Sequence, residues 1–322
     1  MIFKKENGFD FPQFYDQYEK TVASVWRHQE VPMEPDLRDW QFNSTPNERA
    51  VIAGILKGFV SAELGIGCYW ANDVCRIFPK PEIQAMARAF SFFETIHAAA
   101  YSYLNDVLGL NEYEEFINDP IACSKIDTFF NSYPDKVALA VFSGAGEGVS
   151  LFSSFAVLLS FNRDGRYKGL AQIISWSAID EQTHSEAGCA LFRALVDEVG
   201  LTKDEERAIY EGFQLVIDKE MSFIDHIFDS SEIPAIDADE LKAYIKNRAN
   251  ERLLLLGLEQ MFKLTTSELT QAKSISSWFD PMVRGASSTD FFAASKDGAN
   301  YTAKISQDFM SVDLSCIDLV LS

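Results

Sequence analysis

The sequence predicts an all-α protein, a helical bundle built around a two-metal carboxylate site. Three observations predict it. No stretch of any length alternates β-branched and polar residues as a half-buried strand does. Long apolar segments instead run at helical spacing, opened by N-terminal caps and broken by proline or glycine. Two of the chain's four histidines also stand in one short pattern, Glu94-Thr95-Ile96-His97 and Glu181-Gln182-Thr183-His184.

Positions i and i+3 share a helix face, so each pair aims a carboxylate and an imidazole in one direction. Bundles that hold two metal ions take a Glu-x-x-His from each of two helices and a lone Glu from each of two others. Candidates for the lone Glu precede both pairs. Glu63 lies 31 residues before Glu94, and Glu147 lies 34 residues before Glu181; each is the only acid in a strongly apolar run. An isolated carboxylate is costly to remove from water unless it is paired or bound to metal. The chain therefore reads as two similar halves.

The elements follow in order. Residues 1–44 are rich in aromatics and interrupted by Pro32 and Pro35, so they read as a wrapping segment, irregular with one short helix. The bundle is expected over 45–263. Thr45-Pro46-Asn47-Glu48 is a capping box with proline at the first helical position. The helix it opens should reach residue 77 and carry Glu63. Phe78-Pro79-Lys80-Pro81 stops and restarts the chain, and the next helix, to residue 108, carries Glu94 and His97. A short helical segment over 111–130 follows, bounded by Pro120. Pro134 opens the Glu147 helix, in which Gly144, Gly146 and Gly148 permit close packing or local distortion beside the ligand. After a turn at 162–166, a long helix over 167–199 carries Glu181 and His184. Two further helices are expected over 203–228 and 237–262. From 264 the chain becomes Ser/Thr/Gly-rich, so 264–322 reads as a tail, its apolar end suited to docking on a partner.

Composition narrows the classes. With 28 Lys and Arg against 48 Asp and Glu, the net charge of −20 disfavours nucleic acid or an anionic membrane as a direct partner. No uninterrupted apolar run has membrane-spanning length, and the first residues lack the apolar core of a signal peptide. Five scattered cysteines without a Cys-x-x-Cys suit reduced thiols, so a cytoplasmic protein is expected.

Four carboxylates and two imidazoles suit redox-active iron or manganese better than zinc. Tyr101 follows His97 by four residues and falls on the same helical stripe. A buried phenol there can lose an electron and a proton to a neighbouring metal pair. Asp180, next to Glu181, is placed to hydrogen-bond the far nitrogen of a ligand histidine such as His97. His28 and His226 lie outside both halves and are expected to be surface or structural residues.

These residues resemble the radical-generating small subunit of class I ribonucleotide reductase. The family's ligand order, Asp or Glu, Glu-x-x-His, Glu, Glu-x-x-His, matches Glu63, Glu94, His97, Glu147, Glu181 and His184, and its Asp-Glu-x-x-His matches Asp180 to His184. Its radical tyrosine falls on Tyr101, and its near-surface tryptophan falls on Trp26. The run from Asn247 to Leu258 is similar to the family's last helix before the tail, and Asp290-Phe291-Phe292 resembles its closing motif, here without the usual Glu and Arg. The resemblance implies a ferritin-like bundle with two iron ions, or manganese in one or both positions. It implies that the metal pair, with O₂ or a reduced oxygen species, oxidises Tyr101. The oxidising equivalent then passes through Trp26, Asp180 and a tail tyrosine, with Tyr301 the candidate, to a large subunit that reduces ribonucleotides. A homodimer, docking of the C-terminal tail on the large subunit and an activating flavoprotein are further expectations. Glu63 stands where many members have Asp, which leaves the choice of metal open. A reductase-like oxidase and a ferritin-like storage protein are the alternatives; the apolar tail argues against the first, and Tyr101 with the long terminal additions against the second.

Overall fold

The computed structural model describes residues 8–110, 133–230, 233 and 236–283, and among these every regular element is helical. Helices α1 (Pro12–Ala23) and α2 (Glu34–Phe42) lie on the outside of a four-helix core. The core comprises α3 (Pro46–Ile77), α4 (Pro81–Leu108), α5 (Asp135–Asp164) and α6 (Lys168–Val199). Helices α7 (Lys203–Ser230), α8 (Ala238–Leu255) and α9 (Thr266–Val283) complete the body. The segment expected over 111–130 lies outside the described residues.

Local chemistry sets the helix starts. The Thr45 and Glu48 side chains exchange hydrogen bonds with each other's backbone N–H, as the capping box requires, and Thr202 with Glu205 repeats the arrangement at α7. The start of α6 has no such local cap. Its first residue follows Tyr167, held at φ 53°, and its free N–H groups are satisfied from α2: Asp36 accepts from Gly169 and Leu170, and Asp39 accepts from Tyr167. Thus the outer segment ends up bonded to the core rather than merely draped over it.

Two differences from the sequence reading stand out. Among the described residues 8–44 there are two α-helices where one was expected; Pro35 sits in the first turn of α2, where its missing N–H costs nothing. Beyond 264, where the tail was expected to begin, α9 forms and packs on α8. Ala272, Ile275, Phe279, Met282 and Val283 make a buried stripe at helical spacing, and Thr265 with Glu268 caps it.

Two core helices, α3 and α5, are long and apolar enough to cross a membrane by composition. All of the apolar stretch in α5 and 62% of that in α3 is buried against other helices, so the bundle interior accounts for their hydropathy. Both also contain a widened, π-type turn, Tyr69–Val74 in α3 and Val141–Ser150 in α5. The second spans Glu147 and the three glycines around it.

Candidate metal centre

The four core helices bring together all six residues of the predicted ligand set. Glu63 comes from α3, Glu94 and His97 from α4, Glu147 from α5, and Glu181 and His184 from α6; none is more than 1% exposed. Their ligand atoms form two groups, Glu63 with Glu94, His97 and Glu181, and Glu147 with Glu94, Glu181 and His184. Within each group the atoms lie within 4.8 Å of one another. Glu94 and Glu181 belong to both groups, the position of carboxylates that can bridge two ions.

Both imidazoles turn Nδ1 toward the carboxylates. His97 Nδ1 is 3.0 Å from Glu94 Oε2, 3.0 Å from Glu181 Oε1 and 3.7 Å from Glu63 Oε2. His184 Nδ1 is 2.7 Å from Glu94 Oε1, yet the two are not aligned as a hydrogen bond. Both oxygens of Glu63 and of Glu181, and Oε2 of Glu147, also have no hydrogen-bond partner. Unsatisfied buried oxygens are rare and expensive, and so many converging on one volume fit a bound cation pair.

Electrostatics says the same. Burial pushes the carboxyls of Glu63, Glu147 and Glu181 well above the usual range, with the neighbouring carboxylates adding to it. Burial also pushes Glu94 upward, but His184 and His97 outweigh it and hold that carboxyl low. Against burial, the surrounding carboxylates raise both histidines. Acids this reluctant to ionise lack positive charge, and four carboxylates balance two divalent ions. The donor set, oxygen-rich with two imidazoles, matches iron or manganese.

Beyond the ligands, the structure connects several residues singled out in the sequence. Asp180 Oδ2 is 3.1 Å from His97 Nε2 and accepts the Trp26 indole N–H at 2.8 Å. The Trp26 ring stacks 5.8 Å from the His97 ring and lies tilted 5.2 Å from that of Trp176. Trp26 is 2% exposed, its indole packed against His97 of α4 and Trp176 of α6. Tyr101 is fully buried, its ring 6.3 Å from His97 and 4.9 Å from Phe59. Its hydroxyl makes no aligned hydrogen bond, and burial, aided by Glu63, keeps the phenol protonated. His28 packs against Tyr103, the tilted rings 4.8 Å apart. Tyr301 and the closing motif lie outside the described residues.

Sequence reasoning missed Trp70. Its indole N–H donates to Glu147 Oε1 at 2.5 Å, occupying one oxygen and leaving the other for metal. Trp70 sits in the widened turn of α3, seven residues beyond Glu63, and no local pattern pairs it with a residue 77 positions away. The glycines near Glu147 serve close packing: a Cβ on Gly144 would lie 2.6 Å from Phe213, and one on Gly148 2.7 Å from Arg252 Cδ.

Comparison with known proteins agrees with this geometry. The family model described as ribonucleotide reductase, small chain, matches residues 5–268. A probable ribonucleoside-diphosphate reductase small subunit, 376L, of Invertebrate iridescent virus 6 is 29% identical over 343 residues, which cover 92% of this chain and 94% of that protein. Its counterpart 048L of Invertebrate iridescent virus 3 is 28% identical over 312 residues, covering 88% and 81%. Among solved structures, the ribonucleotide reductase R2 subunit of Clostridium botulinum superposes with a TM-score of 0.76 at 18% identity, over 88% of this chain and 91% of that one. The dimanganese(II)-NrdF of Streptococcus sanguinis gives 0.71 at 19% identity, over 86% and 100%. These structures share the fold, a ferritin-like bundle.

Proposed function

The chain belongs to the ribonucleotide reductase small-chain family, and on that premise we propose that it is the radical-generating subunit of a ribonucleoside-diphosphate reductase. One observation carries the reading: two four-residue groups of buried ligand atoms that share Glu94 and Glu181. Glu63 and His97 would complete one metal position, and Glu147 and His184 the other. The metals are two iron ions, with manganese in one or both positions the alternative that Glu63 leaves open. When bound, the pair supplies the oxidising power that takes one electron and one proton from Tyr101.

The chain's own residues protect and route that radical. Tyr101 is fully buried between Phe59 and His97, which shields the phenoxyl from reduction by solvent. Asp180 holds His97 through Nε2, so Nδ1 faces the metals. The same carboxylate oxygen holds the Trp26 N–H and can take its proton as the indole gives up an electron. His97, Asp180 and Trp26 thus form a continuous exit from the metal centre. The large subunit is the destination, reached by docking of residues 303–322, with Tyr301 as the tail carrier. A homodimer is the working assembly, and a flavoprotein is a candidate activator.

The test is electron paramagnetic resonance on the full chain after metal loading and oxidant. A tyrosyl signal is expected, absent in Tyr101→Phe while the metal content stays the same. Deoxyribonucleotide formation with a matched large subunit should be lost when 303–322 are deleted. Full turnover by the truncated chain would refute tail docking, and an unchanged radical in Tyr101→Phe would refute the assignment of the carrier.

A further inference from the structure

Arg248 on α8 is 3% exposed, and no carboxylate lies within ion-pair distance of it among the described residues. A guanidinium buried this way is costly unless its donors are used well. Nε donates to the Gly148 carbonyl at 2.5 Å, and Nη2 donates to Gln182 Oε1 at 2.6 Å. The group lies 3.2 Å over the centre of the Phe152 ring. Gly148 directly follows Glu147, and Gln182 directly follows Glu181. One planar fork therefore joins the residue behind a ligand on α5 to the residue behind a ligand on α6.

We infer that Arg248 is a positioning residue that sets the second metal position, the one completed by Glu147 and His184; this rests on the metal reading above. The widened turn at Val141–Ser150 departs from regular helix, so the α-helical ladder does not by itself place Glu147. An external tie is needed, and α8 supplies it. Gln182 also donates through Nε2 to Glu186 Oε1, which fixes the amide so that its oxygen faces Arg248. The close approach of α8 depends on Gly148, where a Cβ would meet Arg252 Cγ at 3.0 Å. The first position has a different support, the Asp180 carboxylate behind His97. A rigid fork reaches both acceptors; a lysine ammonium reaches one.

The test is a Co²⁺ titration of the full-length, metal-free chain, read by visible absorption and by calorimetric stoichiometry. His97→Ala and His184→Ala assign the two binding phases. In Arg248→Met the phase belonging to the Glu147 position should weaken roughly tenfold to a hundredfold, the usual cost of losing a group that orients a ligand. The other phase, which shares only Glu181 with this support, should weaken less. Arg248→Lys keeps the charge and should lose less, again from the same phase; it decides the question if the methionine variant does not fold. Unchanged binding of both ions, or equal weakening of both with a lower melting temperature, would overturn the inference. If the wild-type chain takes fewer than two ions, the metal reading falls first and this one with it.

Discussion

Gly188 offers the sharpest test of how tightly the centre is built. It lies on α6 one turn beyond His184 and faces Ser143, one turn before Glu147 on α5. A Cβ at Gly188 would sit 2.0 Å from Ser143 Oγ and 2.5 Å from Ser143 Cβ. Rotating the serine hydroxyl removes the first clash but not the second. Ordinary contact begins at 3.4 Å, so Gly188→Ala must push the two backbones apart by about 0.9 Å. Metal–ligand distances in a well-formed site keep within about 0.2 Å of their usual values. Overpacking of this kind costs about 1–3 kcal/mol, a few degrees of melting temperature in a chain of this size. The expected result is a folded protein that loads close to one ion per chain instead of two, melting several degrees lower. Gly54→Ala is the control, since nothing lies within 4 Å of its added methyl and it sits inside α3. That variant should melt at or above wild type with full metal content. A Gly188→Ala protein with two ions and an unchanged melting temperature would refute the claim that the α5–α6 approach is set at the ligands.

Other outcomes follow from the same geometry. Asp180→Asn should weaken metal binding at the His97 position, whose imidazole it orients; at saturating metal it should still form the tyrosyl signal yet lose about tenfold to a hundredfold of turnover with the large subunit, because the Trp26 proton loses its acceptor, and equal turnover would remove Asp180 from the path. Burial pushes the Asp36 carboxyl up to about 6 from 3.8, against the hydrogen bonds from Leu170 and Gly169. The folded chain therefore holds that proton longer than the unfolded one, and this contribution is full below about pH 4 and lost as pH rises through about 6. Melting of Asp36→Asn should rise relative to wild type across that window, and parallel curves would count against it. Phe279→Ala should cost about 3–5 kcal/mol by opening the α8–α9 contact, measured by denaturant unfolding; a loss below about 1 kcal/mol would mean that α9 is dispensable. Stripping the metals with a chelator should lower the melting temperature, since the ions bind only the folded site; identical melting with and without metal would contradict the charge balance described above.

Much of the site was readable because its signals are local. A Glu and a His three apart declare a shared face, and a single acid in an apolar run declares that it has a partner. Thr45 with Glu48 announced a helix start in the same way. Contacts across the chain were not readable. Trp70 reaches Glu147, Arg248 reaches Gly148, and Asp36 reaches the start of α6 from 133 residues away. No periodicity encodes such pairs. The helix α9 is an intermediate case: its cap, Thr265 with Glu268, and its apolar stripe were present, but Ser and Thr between them looked like a loop. The glycines around Glu147 allowed for the widened turn in α5, whereas the one at Tyr69–Val74 left no trace, because a π-type turn and an ordinary helix share one apolar pattern.

That wide turn in α5 has a consequence for how the rod divides its labour. Each residue of an α-helix advances the direction of its side chains by about 100°, so a slackened coil shifts the phase between its two ends. Gly144, on the early side, abuts Phe213 of α7, whereas Phe155, on the late side, meets Phe59 of α3 at 5.1 Å. Between those two contacts the wide turn sets the direction in which Glu147 points. Deleting a single residue within 141–150 would tighten the coil toward regular helix and re-aim Glu147 between those two contacts, a change of register rather than of chemistry.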